Sequence, residues 1–221
     1  MRAVNRHDPS GSLAAPRRAH AAASHEAPTG RACRYPCRVS LRCFLGHGAS
    51  GTSASMAPFV AGLRARGVDA AAIDLPRRKA EDAVSAFHLV VPSAPDVAVG
   101  GHSYGGRVAS LAAAEADAPY AGLVLFSYPL HPPGAPERTD ARIAHWPAIR
   151  CPVLLLSGEA DPFARIALLR SAVSSLASAE LVTYPRLGHT LGPVLDDALD
   201  RAATFLLGLT TAASDAMDGR V

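Results

Sequence analysis

Three side chains have the types and the order along the chain that nucleophilic catalysis by a serine requires. The first is Ser103, in the pentapeptide Gly101-His102-Ser103-Tyr104-Gly105, which lies between a short apolar run and an alanine-rich helical stretch. Strand, G-x-S-x-G and helix form the setting of a nucleophile elbow, a sharp turn that projects the serine hydroxyl above a sheet. We expect Gly101 and Gly105 to be required, because a Cβ at either would collide with the strand or helix that closes the turn.

A candidate acid and a candidate base follow the serine. A serine hydroxyl becomes a good nucleophile when a base takes its proton and a third group orients that base. Asp161 and His189 each lie in the loop just past a short apolar run that is typical of a buried strand. Because parallel strands end at the same edge of a sheet, these side chains should meet Ser103 there. The sequence therefore predicts a catalytic triad of Ser103, His189 and Asp161, with Glu159 as an alternative acid.

Asp161 also has a purely structural interpretation. It precedes Pro162 and an apolar pattern at helical spacing. Aspartate at a helix N-cap, followed by proline at the first helical position, is ordinary capping chemistry. The two roles are compatible, and the order with His189 favours the catalytic one.

In these residues and their order, the sequence resembles the α/β-hydrolase superfamily. The resemblance rests on the Ser103 elbow, the G-x-x-D of residues 158–161, the Gly188-His189 pair, and a strand that runs into residues 46–50, which is similar to an oxyanion loop. It covers about residues 38–208. More narrowly, the chain is similar to the small cap-less branch of dienelactone-hydrolase-like proteins. The segment 128–134 is similar to the testis-expressed-protein and NSL-complex-subunit hydrolase-like branch.

The resemblance implies a serine hydrolase that cleaves a small ester or thioester through an acyl-enzyme, without a cofactor or a metal. Backbone N–H groups of Tyr104 and Ala49 are expected to form the oxyanion hole. His131, in the loop after the fourth strand, is expected to contact the substrate, because loops at that edge of the sheet often carry function. The alternative is a non-catalytic, hydrolase-like scaffold or protein-interaction module, since a fold does not fix a function.

Three other residues near the elbow are predicted to be supporting rather than catalytic. His47 is expected to order the oxyanion loop through its ring hydrogen bonds, or simply to pack. His102 should point away from the serine hydroxyl. Arg107, one helical turn after Ser103, should make a structural contact beneath the site.

The elements that must position these residues alternate between strand and helix patterns. Such alternation predicts an α/β fold with a mostly parallel sheet of about six strands and helices on both faces. Only about two dozen residues separate the fourth strand, ending at Phe126, from the fifth, beginning near Cys151. That is too short for a helical lid domain, so we expect an open site.

Composition is consistent with one domain, because 221 residues with 49% hydrophobic side chains can fill a single core. The net charge of +3 is concentrated in residues 1–37, which hold six arginines and two acids. We expect a disordered basic tail over 1–37, the hydrolase domain over 38–210 and a disordered C-terminal tail over 211–221.

The sequence also argues against several classes of partner. The domain carries no basic excess of its own and aromatic residues are 5% of the chain, so no nucleic-acid partner is expected. No stretch is typical of a signal peptide or a membrane span. We predict a cytoplasmic protein with a small-molecule ester substrate, while the oligomeric state and the substrate's identity stay open.

Overall fold

Strands and helices alternate along the chain in a computed structural model, which describes residues 41–115 and 120–218, without the side chains of 211–218. The strands are β1 (Arg42–Gly46), β2 (Asp69–Ile73), β3 (Val97–His102), β4 (Gly122–Phe126), β5 (Val153–Gly158) and β6 (Ala179–Tyr184). The helices are α1 (Ala57–Ala65), α2 (Ala80–Val90), α3 (Tyr104–Ala114), α4 (Thr139–Ile143), α5 (Ile166–Ala172) and α6 (Leu195–Asp218).

All six strands are parallel and lie in the order β2-β1-β3-β4-β5-β6. The chain leaves β1 toward one edge of the sheet and returns at β3 to build toward the other. Open α/β sheets bind ligands outside the carboxyl ends of the strands at such a reversal. The predicted sheet is confirmed, and its reversal lies where β1 ends at Gly46 and β3 continues into Ser103.

The sheet is covered on both faces, so its central strands are apolar on both sides. Val99, Leu123 and Leu155 pack into one core cluster, which includes buried residues of α2 and α3. Alternate strand residues such as Val124 and Leu154 pack into a second cluster with α1 and α6. Burial on both faces explains why β4 and β5 are continuous apolar runs rather than alternating patterns. This rigid centre carries the loops in which the candidate residues lie.

One helix boundary differs from the one that the sequence predicts, and one helix is additional. The helix expected directly after Pro162 begins only at Ile166, because residues 162–164 form a turn in which Ala164 N–H donates to Asp161 O at 3.2 Å. A short helix, α4, was not predicted between β4 and β5. Within residues 127–152, the structure contains no lid domain, in agreement with the predicted spacing.

The predicted disordered tails lie wholly or partly outside the residues that the structure describes. The expected tail over 1–37 lies entirely outside those residues. At the other end, α6 is helical to Asp218, which is beyond the expected limit at residue 210. The disordered tail over 211–221 stays a prediction. Of the described helices, none combines the length and the apolar character that crossing a membrane requires.

Candidate active site

Ser103 occupies a strained turn between β3 and α3. Its backbone has φ 52° and ψ −114°, a conformation that non-glycine residues rarely adopt. The turn is held from both sides, because Ser103 N–H donates to Phe126 O at 2.9 Å and Ser103 O accepts from Arg107 N–H at 3.0 Å. The surrounding sheet and helix therefore impose the backbone conformation that the G-x-S-x-G pattern predicts.

The glycines of the elbow are required by the close approach of β1. A Cβ at Gly105 would lie 2.1 Å from the carbonyl carbon of Gly46, and a Cβ at Gly101 would lie 2.4 Å from Gly46 O. Gly101 also has φ 154°, where a side chain is strained. The predicted collisions are confirmed. For Gly105 the obstacle is the neighbouring strand β1.

We expect Gly105→Ala to lower the free energy of unfolding by about 3 kcal/mol or more, because only a shift of α3 away from backbone atoms of β1 could admit the methyl group. Chemical denaturation of the purified protein measures this. The matched control is Gly208→Ala in α6, where a Cβ meets nothing within 4 Å, and we expect it to keep or raise stability. Equal unfolding midpoints for Gly105→Ala and the unmodified protein would contradict the tight elbow.

Ser103, His189 and Asp161 lie in one hydrogen-bonded chain. His189 Nε2 is 2.8 Å from Ser103 Oγ, and His189 Nδ1 is 2.7 Å from Asp161 Oδ2. The Asp161 side chain is fully buried, whereas that of His189 is 22% exposed. The tautomer that satisfies all three groups has Nδ1–H donating to the carboxylate and Nε2 accepting from the hydroxyl. The structure thus brings together the three residues predicted as a triad, with the basic nitrogen facing the serine.

Asp161 also caps its own turn, with its second carboxylate oxygen. Phe163 N–H donates to Asp161 Oδ1 at 2.8 Å. Asp161 therefore does cap a backbone N–H, but the capped segment is a turn and not the first turn of α5. Because one oxygen takes the backbone N–H and the other takes the imidazole, the carboxylate cannot rotate without losing a hydrogen bond. This fixes the direction of the acceptor that His189 uses.

Two aromatic rings hold the His189 loop in place. The ring of Phe163 lies 4.4 Å from that of His189, centroid to centroid, and the ring of His102 lies 5.3 Å from it. Burial lowers the pKa of His102, which favours the neutral ring. Its Nε2–H then donates to His189 O at 3.2 Å. His102 therefore supports the loop that carries His189. This contact is compatible with the prediction that His102 points away from the serine hydroxyl.

Sequence reasoning did not identify the contact of Phe163 or that of His102 with His189. For Phe163, the one available signal was an apolar residue two positions after the candidate acid, inside a turn. For His102, its place beside Ser103 indicated that it lies near the site. It did not indicate that its ring would donate to the carbonyl of His189. Both contacts depend on a loop more than twenty residues away along the chain.

His47 orients the candidate oxyanion loop. Its buried ring lies 2.8 Å from Gly48 O through Nδ1 and accepts Leu75 N–H at 3.0 Å through Nε2. The tautomer is thereby set, with Nδ1–H donating to the Gly48 carbonyl. In a trans peptide the C=O and the N–H point in opposite directions. Since Gly48 C=O and Ala49 N–H share one peptide, the ring of His47 also fixes where Ala49 N–H points, which confirms its predicted ordering role.

The two predicted oxyanion donors border a common space. Tyr104 is the first residue of α3, so its N–H has no acceptor within the helix. Ala49 lies in an exposed turn. Both residues line a cavity of about 290 Å³. The structure therefore brings Tyr104 and Ala49 to one place, and their role as oxyanion donors stays a prediction.

His131 connects two loops, and both of its ring nitrogens are occupied. It is only 4% exposed. Nδ1 lies 2.8 Å from Pro132 O, and Nε2 accepts Arg165 N–H at 3.0 Å. Its ring nitrogens are therefore engaged, and a substrate could contact only the ring carbons. The residue does border a cavity near Asp161, and the predicted substrate contact stays a prediction. Its contacts identify a brace between the loop after β4 and the loop that carries the acid.

Glu159 and Arg107 are both held by structural contacts. Glu159 Oε1 accepts from Arg170 at 2.7 Å and from the Thr183 hydroxyl at 2.9 Å, so this carboxylate is committed to α5 and β6. Arg107 is ion-paired with Glu81 and donates to a backbone carbonyl of α4 at 2.7 Å. The structural role predicted for Arg107 is confirmed. In the described part of the chain, no group of His, Cys, Asp and Glu side chains is arranged to hold a metal ion.

Comparison with known families supports the fold described above. A family model described as the alpha/beta hydrolase domain matches residues 42–204, which include every candidate residue above. A search of curated protein sequences found no match.

Solved structures of lipases and esterases share the fold. The monoacylglycerol lipase of Paleococcus ferrophilus superimposes with a TM-score of 0.63 at 16% identity, over 77% of this chain and 94% of that one. The ferulic-acid-bound Est1E of Butyrivibrio proteoclasticus gives 0.63 at 18%, over 77% and 90%. Esterase PE8 gives 0.60 at 21%, over 77% and 93%. At these identities the likeness establishes the architecture.

Proposed function

The chain belongs to the alpha/beta hydrolase domain family, and on that premise we propose that it is a serine hydrolase that cleaves a small ester or thioester. The observation that carries the proposal is the chain of short hydrogen bonds from Asp161 through His189 to Ser103. A buried carboxylate, an oriented imidazole and a serine in a strained turn are the parts that acyl transfer requires.

In the proposed reaction, Ser103 Oγ attacks the carbonyl carbon of the substrate while His189 Nε2 takes its proton. Asp161 stabilises the imidazolium that forms and keeps Nδ1–H directed toward itself. The carbonyl oxygen becomes an oxyanion, which the N–H groups of Tyr104 and Ala49 would bind. Such preorganised donors are worth roughly 3 kcal/mol each. His189 then returns its proton to the leaving group, and the same residue activates the water that hydrolyses the acyl-enzyme.

The class of substrate follows from the openness of the site. Between β4 and β5, the helical structure consists of the five-residue helix α4 and two three-residue 3-10 helices. A small, soluble acyl group suits such an opening better than a long lipid chain, which would need a covered apolar channel. The same feature supports placement in the cap-less, dienelactone-hydrolase-like branch. We further propose that the enzyme needs no cofactor and acts in the cytoplasm.

The proposal is tested by labelling with a fluorophosphonate probe, which reacts with a serine that a neighbouring base activates. We expect the purified protein to be labelled stoichiometrically at Ser103, and Ser103→Ala to remain folded and unlabelled. A short p-nitrophenyl ester should compete with the probe. If the folded protein neither reacts with the probe nor cleaves any short ester, the non-catalytic scaffold becomes the better interpretation.

A further inference from the structure

A strongly basic cavity lies beside the candidate oxyanion loop. Its volume is about 670 Å³, which is in the range of small-molecule sites. Five cationic and two acidic side chains line it. The cationic ones are Arg78, Lys79, Arg107, Arg138 and Arg142. These residues come from the loop after β2, from α3, and from the segment that contains α4, so the charge is assembled only by folding.

This cavity, which we call the basic cavity, adjoins the candidate active site. Tyr104 and Arg78 line both it and the smaller cavity at Ala49. Tyr104 is the residue directly after Ser103, and its hydroxyl is held by Pro76 O at 2.7 Å. A group bound in the basic cavity would therefore contact the same Tyr104 and Arg78 that border the space beside Ala49. That is the place for a distal part of the substrate.

Most of the positive charge in the basic cavity is not neutralised by the protein. Of its acids, Glu81 is paired with Arg107. Among the described residues, Arg78, Lys79 and Arg138 take part in no ion pair. Asp82 is the one other acid in the lining of the basic cavity. Five cationic and two acidic side chains give this lining a net charge of +3.

The cations also disfavour one another. Burial, together with repulsion from Arg107, lowers the pKa of Arg142 from its ordinary value. Like charges in a partly buried cavity raise the free energy of the empty protein, and an anion relieves both the repulsion and the loss of solvation. Guanidinium groups also bind carboxylate and phosphate oxygens in a bidentate manner. The arrangement thus favours an anionic ligand.

We propose that the basic cavity binds an anionic group, a carboxylate or a phosphate, at the distal end of the ester or thioester substrate. This inference rests on the proposed hydrolase function and names its substrate class. Arg78, Lys79 and Arg138 bind the anion directly, and the paired Arg107 and Glu81 hold the wall behind them. The positive potential also draws anionic substrates toward the site and speeds their association at low ionic strength.

The test compares two esters that differ only at the distal end. They are the mono-p-nitrophenyl ester of adipic acid, which ends in a carboxylate, and p-nitrophenyl hexanoate, which ends in a methyl group. We expect kcat/KM to be about tenfold or more higher for the anionic ester at low salt, and the ratio to fall toward one at molar salt. A ratio near one at low salt would overturn the inference.

Variants test which residues produce the preference for the anionic ester. The triple variant Arg78→Gln, Lys79→Gln, Arg138→Gln should remove the preference, mainly through a raised KM for the anionic ester. The matched control, Arg42→Gln, removes an exposed arginine at the opposite, amino end of β1 and should keep the ratio. A preference that survives the triple variant, or that Arg42→Gln removes equally, would show that the basic cavity does not bind the anion.

Calorimetry on Ser103→Ala distinguishes the two sources of the anion and separates this inference from the proposed function. Tighter binding of adipate than of inorganic phosphate identifies a carboxylate substrate, and the reverse order identifies a phosphorylated one. Binding of neither, in a protein that still cleaves the hexanoate ester before substitution, rejects the basic cavity alone. Absence of fluorophosphonate labelling and of all ester cleavage rejects the hydrolase function, whatever calorimetry finds.

Discussion

Ser103→Ala should lower kcat for a short p-nitrophenyl ester by about 10⁵- to 10⁶-fold, and His189→Ala by nearly as much. Without Ser103 there is no atom to form the acyl-enzyme. Without His189, the hydroxyl 2.8 Å from it keeps its proton and remains a poor nucleophile. The double variant should be no slower than either single one, because the two residues act as one unit. Steady-state kinetics at saturating substrate measure all three.

Ser127→Ala is a close control for this experiment. Ser127 follows β4, has φ 50° and is fully buried. Its Oγ has no hydrogen-bond partner among the described residues. It thus shares the positive φ of Ser103 but lacks a base, and we expect its replacement to change kcat less than about threefold, because its hydroxyl takes no part in the hydrogen-bonded chain from Asp161 to Ser103. If Ser103→Ala retained activity within tenfold, the nucleophile and with it the mechanism would be wrong.

The parts of the site that the sequence could predict depend on local pattern and chain order. The turn at Ser103 is defined by its own glycines, and each of Asp161 and His189 is recognisable because it lies in the loop just past an apolar run. A parallel sheet then brings such positions to one edge without further information. For this reason six strands and the meeting of three distant residues could be anticipated from one sequence.

What could not be predicted depends on contacts between distant segments. The pair Arg78-Lys79 is, in sequence, part of an ordinary solvated stretch. These two residues form one wall of the basic cavity only when the segment around α4 supplies Arg138 and Arg142. The start of α5 was misplaced for a related reason, because the Asp161 carboxylate is shared between His189 and a turn and does not cap the helix.

Two buried histidines outside the triad share one hydrogen-bond pattern. In both His47 and His131, Nδ1 bonds the carbonyl of the next residue, and Nε2 accepts a backbone N–H from a distant loop, that of Leu75 or Arg165. One ring orients the candidate oxyanion loop and the other the loop that carries Asp161. The hydrogen bonds of His131 show a bracing role. The substrate contact that its position after β4 predicts stays a prediction.

Asp161→Asn should lower kcat by about 10⁴-fold at neutral pH with little loss of stability. The reason lies in the backbone N–H of Phe163, which requires an oxygen opposite it. The asparagine must place its carbonyl there and turn its NH₂ group toward His189 Nδ1. The imidazole is then forced into the tautomer with the proton on Nε2, which cannot accept the proton of Ser103.

Glu159 provides the control that decides whether a second acid contributes. Its carboxylate is held by Arg170 and Thr183, so we expect Glu159→Gln to change kcat only slightly, and the double variant with Asp161→Asn to match Asp161→Asn alone. A double variant at least tenfold slower than Asp161→Asn would instead show that Glu159 takes over the orientation of His189. Thermal melting of each variant separates a loss of tautomer control from a loss of fold, since only the former leaves the melting temperature unchanged.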